Sequence, residues 1–413
     1  MAKIAPFKGL RPRPELAAQV ATLPYDVCSV EEAREFKDQP YNFYHVTRSE
    51  IDLSRRIDVH DTLVYEQAGE NLKKFIKGGV FMQDDAPCYY IYRLTMNGRP
   101  QTGLVCISSL EDYENDVIKK HEYTRPEKEL DRINHIKATR AQTGVVLMAY
   151  REVSSITEML RDWVDNHEAV YSFTSEDEVK HEFWVIDDYG KVCNITDIFE
   201  DNVPATYIAD GHHRAASAAK VAQEYRNRNL DLTGNESFNF FLTCIFPSNQ
   251  MVIMDYNRLV RDLKGYSKDE FLELLTADFV ITKIGGQPYK PEKMHEFGLY
   301  VEGLWYKLET KSDFSESNII ESLDVSILQN KVLDKILGIQ DPRTDDRVAF
   351  VGGIRGLEEL ANRVNSGEMA AAFSCYPVSM DQLLAVADNG QVMPPKSTWF
   401  EPKTRDGLIV HMI

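Results

Sequence analysis

The sequence predicts a mixed α/β protein with more than one folded body. Hydrophobic and charged residues make up 43% and 27% of the 413 residues, a balance typical of folded globular chains rather than disordered ones. Segments with the patterns of strands and of helices alternate throughout, as they do in α/β and α+β folds. The length allows two or three domains with a large buried core.

Turn and capping signals bound the predicted elements of the first half. Ser29-x-x-Glu32 and Thr124-x-x-Glu127 have the pattern of a capping box, which opens a helix, and the Asn-Gly pair at 97–98 marks a two-residue hairpin turn. The predicted helices after the first capping box cover 61–77, 124–142, 156–166 and 214–226. The predicted strands cover 21–27, 42–46, 89–96, 102–108, 144–150, 181–187, 190–195, 205–209, 238–246 and 251–255, with hairpins expected around 188–189 and 247–250.

The second half continues the alternation without internal repeats. Its predicted helices cover 268–275, 325–337, 356–364 and 380–387, and its predicted strands cover 279–284, 300–308, 348–351, 370–375 and 408–412. A boundary is expected near 258–268, where the preceding strand pair ends. We therefore expect two bodies, residues 1–260 and a C-terminal α/β domain of residues 261–413 that packs back on the first.

Composition disfavours several functional classes. The formal net charge is −18, whereas a protein that binds DNA or RNA must neutralise phosphates with cations, so no nucleic-acid partner is expected. No stretch reaches about 18 apolar residues, and the first residues lack a secretory signal, so we expect a cytoplasmic protein with no membrane partner. The six cysteines form no Cys-x-x-Cys pair, which favours buried, reduced thiols. The oligomeric state stays open, a dimer included.

The strongest candidate for a chemical centre is the polar turn between the predicted strand 205–209 and the helix 214–226. The turn consists of Asp210, Gly211, His212, His213 and Arg214. Glycine lets a ligand approach the backbone closely, and the N–H groups at the start of a helix attract anions. Arg214 offers a planar fork for phosphate, and the two histidines can donate hydrogen bonds or transfer protons. Asp210 can bind a metal, act as a base or serve as a nucleophile.

The same turn also has a purely structural interpretation. In that interpretation Asp210 caps the helix, and His212 and His213 lie on the surface. The functional interpretation is favoured because two histidines and an arginine follow one Asp-Gly pair. A zinc site at the two histidines is disfavoured, since no cysteine or carboxylate partner occurs at ligand spacing.

Residues 208–214 resemble the signature of the ParB/sulfiredoxin-like superfamily, and the Asp-Gly-His-His-Arg turn is similar to that of its nucleotide-dependent free-serine kinases. Nearly the whole chain resembles a bacterial and archaeal family called DUF1015, with shared segments at 23–27, 121–135, 210–214 and 393–398. The resemblance implies a ParB/sulfiredoxin-like catalytic core within residues 1–260, elaborated by additional N- and C-terminal α/β elements.

Departures from other relatives narrow the expected activity. Sulfiredoxins need a cysteine in a Gly-Cys-His-Arg turn, and His212 stands at that position here. ParB partition proteins carry Gly-Glu-Arg-Arg and a basic DNA-binding region, whereas this chain is acidic. The kinase turn is matched in full, so sulfinic-acid reduction and centromere binding are both disfavoured.

The kinase-like turn implies a nucleotide-dependent phosphotransferase that acts on a small hydroxy amino acid, in the first place free L-serine, which becomes O-phosphoserine. ADP or ATP is the expected phosphoryl donor and Mg²⁺ the expected ion. In this hypothesis Gly211 and Arg214 bind the nucleotide, and Asp210 holds magnesium. Asp210, His212 and His213 are the predicted catalytic residues of the turn.

The helix after Thr124 supplies further candidates. Arg125, Lys128 and Arg132 are expected to hold phosphates, since they lie on or beside one polar helix face. Glu122, just before this helix, is a candidate base or second magnesium ligand. A solvated polar face is the equally weighted alternative for this helix.

Two distant segments complete the predicted site. Asp26, at the end of Pro24-Tyr25-Asp26, is expected to act as a base or to hold the substrate ammonium or magnesium, with a plain turn as the alternative. Lys396, in the proline-stiffened loop 393–398, is expected to bind the nucleotide, with a rigid linker as the alternative.

Two other activities fit the same residues. One is a phosphatase that acts on phosphoserine, with Asp210 or a histidine as the nucleophile. The other is a nucleotide- or metabolite-sensing protein without turnover. Nucleotide consumption distinguishes the kinase from the phosphatase, and tight binding without product marks the sensor.

Overall fold

The computed structural model describes residues 1–228, 232–314 and 318–413, and it divides the chain into two compact units. Unit 1 comprises Met1–Met251 and Pro402–Ile413, and unit 2 comprises Val252–Glu401. The change of unit at 251/252 lies close to the boundary expected near 260. Residues 402–413, which were expected in the C-terminal body, cluster with unit 1.

Unit 1 contains more residues in α-helices than in strands. Its strands before residue 252 are β1 (Ile4–Ala5), β2 (Leu10–Pro12), β3 (Phe81–Gln83), β4 (Tyr89–Met96), β5 (Arg99–Ser109), β6 (Ile118–Lys119), β7 (Ala141–Gln142), β8 (Val146–Tyr150), β9 (Tyr171–Thr174), β10 (Lys180–Ile186), β11 (Thr206–Asp210) and β12 (Phe240–Pro247). Its α-helices are α1 (Ala17–Val20), α2 (Val30–Arg34), α3 (Tyr44–Thr47), α4 (Thr62–Lys77), α5 (Leu110–Glu114), α6 (Pro126–Thr139), α7 (Ser154–Asn166), α8 (Tyr189–Asn202) and α9 (His212–Arg228).

Unit 2 is also mixed α/β, and the chain returns to unit 1 after it. The strands of unit 2 are β13 (Val252–Met254), β14 (Tyr256–Val260), β15 (Phe279–Gly285), β16 (Glu296–Val301), β17 (Leu304–Thr310), β18 (Val348–Gly352), β19 (Ala371–Cys375) and β20 (Trp399–Glu401), and β21 (His411–Met412) belongs to unit 1. The α-helices of unit 2 are α10 (Lys268–Leu275), α11 (Asp324–Leu328), α12 (Gly356–Asn365) and α13 (Met380–Asp388).

A mixed sheet forms the centre of unit 1. Within the described residues it has nine strands, in the order β6-β11-β8-β12-β5-β4-β10-β9, and β1 pairs with β5 outside this path. β11 runs parallel to β6 and antiparallel to β8, so the carboxyl end of β11 lies beside the start of β8. The core includes the buried side chains of Tyr89, Phe199 and Phe241.

A six-stranded sheet forms the centre of unit 2, as far as the structure describes that unit. Its order is β15-β17-β16-β19-β14-β18, and every pairing is antiparallel. Phe271, Phe297, Leu333 and Phe373 are buried in its core. Together the two units confirm the predicted mixed α/β class.

Local signals with a clear physical basis are confirmed. The hairpin β4–β5 turns at 97–98 as predicted. Ser29 and Glu32 form a capping box at the start of α2, with both reciprocal hydrogen bonds present. The strand, polar turn and helix predicted around Asp210 correspond to β11 and α9.

Several local predictions are wrong. The predicted strand 300–308 is part of the hairpin β16–β17, which turns at 302–303. The segment 21–27 contains only an isolated bridge at Thr22 and then turns at 24–27. The segment 190–195 is not a strand but part of α8, whose N-terminus is capped by Asp188 and whose buried Val192, Ile195 and Phe199 recur at helical spacing. The segment 42–46 leads into α3 instead of being extended, because Asn42 Oδ1 accepts the N–H of Tyr44 at 3.0 Å.

Two further errors concern a cap and a strand pair. Thr124 does not cap α6, which begins after Arg125 with Pro126 at its first turn, because the Thr124 hydroxyl donates to Glu129 instead. β13 pairs with β20, not with β12. Among the described residues, no helix is both long and apolar enough to cross a membrane.

Candidate functional site

The Asp-Gly-His-His-Arg turn joins the carboxyl end of β11 to the N-terminus of α9. Gly211 has a φ of +101°, which other residues rarely adopt, and a Cβ there would lie 3.4 Å from the Cα of Val146 on β8. The pairing of β11 with β8 shifts register between Ile208 and Asp210. The glycine and the irregular strand end together turn the chain sharply into the helix.

Asp210 lies at the end of β11 and is held by Lys403. The Lys403 Nζ donates to Asp210 Oδ2 at 2.8 Å. Burial alone would raise the pKa of the Asp210 carboxyl, but the charges of Lys403 and Arg214 outweigh it and lower that pKa. Asp210 is therefore a carboxylate near neutral pH, and Lys403 supplies its counter-charge.

His212 points into the protein rather than to solvent. It is 3% exposed, and its Nε2 accepts the backbone N–H of His121 at 3.4 Å. Burial and the neighbouring His121 lower its pKa well below the usual value, so the ring is neutral with its proton on Nδ1. That Nδ1 lies 3.6 Å from the carboxylate of Glu122, whose side chain is 59% exposed. His212 thus lies beneath the Glu122 carboxylate, at a distance too long for a hydrogen bond.

His213 is the more accessible histidine of the turn. Its Nε2 accepts the backbone N–H of Arg125 at 3.1 Å, which leaves Nδ1 as the donor of the neutral ring. Burial and the charge of Arg125 lower its pKa, and Lys128 acts in the same direction. The structure thus brings Arg125 and Lys128 of the α6 segment to the turn, as a pair of cations beside the start of α9.

Arg214 connects the turn to Asp26. One terminal nitrogen donates to the carbonyl of Val145, and the other lies 3.5 Å from Asp26 Oδ2. The charge of Asp26 raises the pKa of the guanidinium against the effect of burial. The Asp26 side chain remains 39% exposed. Arg214 therefore holds a partly exposed carboxylate at the first turn of α9, instead of presenting its whole fork to solvent.

Asp406 lies behind this pair and was not predicted. It is 2% exposed, and its backbone exchanges two hydrogen bonds with Thr22, of 3.1 and 2.9 Å. Its Oδ1 has no hydrogen-bond partner among the described residues, and a Cβ on Gly144 would lie only 2.8 Å from that oxygen. Burial raises the pKa of Asp406 to about 7, while Arg214 acts in the opposite direction.

A small cavity of about 30 Å³ separates these groups, which is room for about one or two water molecules. Its polar wall includes Tyr25, Thr47, Arg132, His135, Arg214 and Asp406. Polar groups of both signs surround it, so a ligand or water that enters can satisfy Asp406.

Arg132 faces this cavity but is already paired. Its guanidinium donates two hydrogen bonds to Asp131 at 2.9 and 2.7 Å, and it stacks 3.7 Å from the ring of Tyr25. Burial raises the pKa of Tyr25 to about 12, although Arg132 acts to lower it. Arg132 thus fixes the segment that carries Asp26.

Three interactions fix α6 against α9. Lys220 of α9 forms an ion pair with Glu129 of α6, and the hydroxyl of Ser217 donates to the carbonyl of Glu129 at 3.1 Å. Lys137 and Glu224 form a further pair at 2.7 Å. These contacts hold the cationic start of α6 beside the turn.

Lys396 belongs to unit 2, and its part in the site remains a prediction. Its carbonyl accepts a hydrogen bond from Arg258 at 3.0 Å, and its ammonium lies 5.8 Å from the ring of Tyr256. These contacts account for the loop 393–398 within unit 2 itself.

A magnesium ion fits this site only as a partner of bound phosphates. No group of three or more His, Cys, Asp or Glu side chains that could hold a metal occurs among the described residues. Magnesium that arrives with a nucleotide needs only one or two protein carboxylates. Of the two predicted ligands, Asp210 already faces Lys403, whereas Glu122 has 59% of its side chain exposed.

The family assignment follows from a match over most of the sequence. A family profile described as a protein of unknown function, DUF1015, matches residues 4–326 of the 413. The chain belongs to the DUF1015 family. This confirms the resemblance inferred from the sequence motifs, and three of the four motifs, at 23–27, 121–135 and 210–214, lie inside the DUF1015 match.

Solved structures give a weaker likeness. A conserved hypothetical protein from Pyrococcus furiosus is 14% identical, with a TM-score of 0.35, over 75% of this chain and 95% of that chain. A free serine kinase variant in complex with AMP is 13% identical, with a TM-score of 0.36, over 74% of this chain and 91% of that chain.

A third solved structure gives a similar result. C-terminally truncated SbnI from Staphylococcus aureus is 10% identical, with a TM-score of 0.36, over 73% of this chain and 85% of that chain. No curated protein matches this DUF1015 member. Identities and scores this low leave substrate and mechanism to the residues of the chain itself.

Sequence reasoning missed Lys403 and Asp406, which contact or face the turn from the last segment of unit 1. They lie almost 200 residues beyond Asp210, so no local spacing connects them with it. One signal was available, because the polar run 402–406 directly precedes the apolar residues 408–410. Charges beside a buried segment need partners, because burial of an unpaired charge is costly.

Proposed function

We propose that this protein is a nucleotide-dependent phosphotransferase that phosphorylates a small hydroxy amino acid, in the first place free L-serine. One observation carries the proposal: a partly exposed carboxylate, Asp26, is held by Arg214 at the N-terminus of a 17-residue helix, beside the cations Arg125 and Lys128. Phosphoryl transfer needs positive charge that holds the phosphates and a base for the incoming hydroxyl, and this arrangement offers both.

The donor phosphates are expected to bind at the start of α9. The first N–H groups of a helix have no partner within the helix, and their dipoles favour negative charge. Arg125 and Lys128 add positive charge, and the Nδ1–H of His213 adds a neutral donor. Gly211 keeps the approach to the backbone open, since it carries no side chain.

The carboxylate of Asp26 is expected to receive the proton. The serine hydroxyl oxygen attacks the terminal phosphorus of ADP or ATP, a new P–O bond forms, and the bond to the leaving AMP or ADP breaks. The hydroxyl proton passes to Asp26 and then to water. Arg214 is a positioning residue in this scheme, because it fixes the Asp26 carboxylate.

Magnesium would neutralise the phosphate charge when it arrives with the nucleotide. Glu122 is then the accessible candidate ligand, and Asp210 with Lys403 provides the fixed charge pair beneath the turn. The role of Lys396 as a nucleotide contact remains part of the proposal.

Phosphorus NMR on the whole protein tests the proposal. Samples contain Mg²⁺ and L-serine with ADP or with ATP, and a further sample contains only phosphoserine and Mg²⁺. Phosphoserine that appears with a nucleotide, and fails to appear with Asp26→Asn and Asp210→Asn, is the expected result. Asp188→Asn is the matched control, since asparagine caps a helix as well as aspartate does.

Two other outcomes identify the alternatives. Release of inorganic phosphate from phosphoserine alone would assign the site to a phosphatase. Nucleotide binding without any product, in all samples, would assign it to a sensor and contradict both transfer reactions.

A further inference from the structure

A second, larger cavity lies in unit 1. It has a volume of about 310 Å³, at the lower end of the range for small-molecule sites. Its walls come from α1, from the segments on both sides of α2, from the end of β9 and from Arg405. None of the residues predicted for the phosphotransfer site lines it.

Arg405 is the buried charge of this cavity. Its side chain is 6% exposed, and one terminal nitrogen donates to Ser175 Oγ at 3.0 Å and pairs with Asp177. The other terminal nitrogen, Nη1, has no hydrogen-bond partner among the described residues. Thr22 lines the same cavity. Its hydroxyl likewise has no hydrogen-bond partner in the described part of the chain. A buried polar group without a hydrogen-bond partner in the protein indicates a site for a ligand or a water molecule.

The rest of the cavity offers two further kinds of contact. Phe36, Tyr44 and Phe173 supply apolar, aromatic surface. Glu176 and Asp177 supply negative charge, and the Asp177 side chain is 48% exposed. The cavity therefore combines a buried cation, accessible carboxylates and an apolar wall.

We propose that this cavity binds a free α-amino acid with an apolar or aromatic side chain, as its zwitterion. The ligand carboxylate accepts hydrogen bonds from Arg405 Nη1 and the Thr22 hydroxyl. The ligand ammonium faces Asp177 and Glu176, and the side chain packs against Phe36 and its aromatic neighbours. Binding here requires neither a nucleotide nor turnover, so it is independent of the phosphotransfer activity.

Ligand-observed NMR and calorimetry on the whole protein test this site. L-phenylalanine and L-leucine are the probes, at concentrations up to about 10 mM. N-acetyl-L-phenylalanine lacks the ammonium and L-phenylalaninamide lacks the carboxylate. Each blocked analogue is expected to bind at least roughly tenfold more weakly, because a hydrogen bond to a charged group is lost.

Two variants locate the binding. Arg405→Gln is expected to weaken binding of the probe at least roughly tenfold. Because this variant also leaves Asp177 without its cation, Ala18→Trp provides a second test. Ala18 is exposed and lines the cavity, so a tryptophan there fills the space and abolishes binding without the loss of a buried charge.

Asp210→Asn is the matched control, and it should bind the probes as the natural chain does. Absence of binding by both probes to the natural chain would overturn the proposal. Binding that survives Ala18→Trp but is lost in Asp210→Asn would also overturn it, since the amino acid would then occupy the phosphotransfer site.

Discussion

Asp406 of unit 1 and Glu296 of unit 2 are both buried carboxylates, but their pKa values move in opposite directions. The Glu296 side chain is 3% exposed and accepts hydrogen bonds from Lys307 Nζ at 2.9 Å, the Tyr289 hydroxyl at 3.1 Å and the Glu292 N–H at 3.2 Å. Burial alone would raise its pKa, but these partners lower it to about 2. The carboxylate of Glu296 is thus satisfied by the protein itself.

The carboxyl of Asp406, in contrast, is only partly hydrogen-bonded within the described residues. One of its oxygens has no hydrogen-bond partner in the described residues, it faces a cavity, and burial raises its pKa to about 7 despite the nearby Arg214. In a structural ion pair the carboxylate oxygens have hydrogen-bond partners within the protein, whereas in a functional site a polar group can remain without a partner until a ligand binds. The comparison indicates that the carboxyl of Asp406 is open to a ligand or water, while the buried Glu296 serves stability.

The largest expected effect is on the transfer rate, for a substitution in unit 1 that changes stability little. Asp26→Asn removes the proposed base, so the rate of phosphoserine formation should fall by about 10²- to 10⁴-fold. The free energy of unfolding should change by less than about 1 kcal/mol, because the pair with Arg214 is partly solvated. Phosphorus NMR and urea denaturation measure the two quantities. A variant that keeps the natural rate would show that Asp26 is not the base.

The pH dependence of stability tests the state of Asp406. An aspartate has a pKa of about 3.9 when unfolded, so the folded protein holds this proton more tightly and the free energy of unfolding falls as pH rises from about 4 to about 7. The loss is of the order of 4 kcal/mol for a shift of about three units. Asp406→Asn should flatten this decline in urea denaturation curves measured across that pH range.

Asp324 of unit 2 is the necessary control for this slope. Burial raises its pKa to about 7 as well. Asp406→Asn should therefore remove only part of the decline, and the double variant Asp406→Asn/Asp324→Asn should remove the rest. A slope that is unchanged by Asp406→Asn would contradict the raised pKa.

A smaller effect is expected for the satisfied carboxylate of unit 2. Glu296→Gln leaves Lys307 without its buried counter-charge and should lower the free energy of unfolding by about 3 kcal/mol without a change in the transfer rate. Glu309→Gln is the matched control, since Glu309 contacts the same Lys307 at 3.2 Å but is more exposed. Its effect should stay below about 1 kcal/mol. Equal effects of the two variants would contradict a buried, structural role for Glu296.

The smallest effects should be alike in the two units. Asp188 caps α8 in unit 1 and Ser267 caps α10 in unit 2. Replacement of either by alanine should cost about 1 kcal/mol in urea denaturation and leave the transfer rate unchanged. A loss of activity in either variant would mean that lowered stability alone reduces turnover, which would weaken the comparison drawn above.

The sequence predicted those features that depend on neighbouring residues. The turn after β11 was predictable because Gly211, the preceding apolar strand and the following helix lie within one short segment. The hairpin at 97–98 was predictable for the same reason. In contrast, the segment 190–195 was predicted as a strand because the residues 188–189 were interpreted as a hairpin turn, whereas Val192, Ile195 and Phe199 have the spacing of a helix, α8.

The groups that complete the candidate site could not be predicted from spacing. Lys403 forms a hydrogen bond with Asp210, and Asp406 interacts with the charge of Arg214. Both contacts join residues almost 200 positions apart, so no periodic pattern in the sequence indicates them. The pairing of Arg214 with Asp26 is likewise a tertiary contact, across a sequence separation of 188. The sequence analysis named Asp26 and Arg214 but predicted that Arg214 binds phosphate, because nothing in the sequence indicates that Asp26 lies beside it.

The return of residues 402–413 to unit 1 has a consequence for the order of synthesis. A ribosome makes the whole of unit 2 before it makes Lys403, Asp406 and β21. Asp210 therefore gains its cation only after the whole of unit 2 has been made, and until then the nascent chain lacks the Asp210–Lys403 pair. Loss of the segment 402–406 would remove Lys403 and Asp406 together, so the pairing of Asp210 with its cation requires a chain that continues past unit 2.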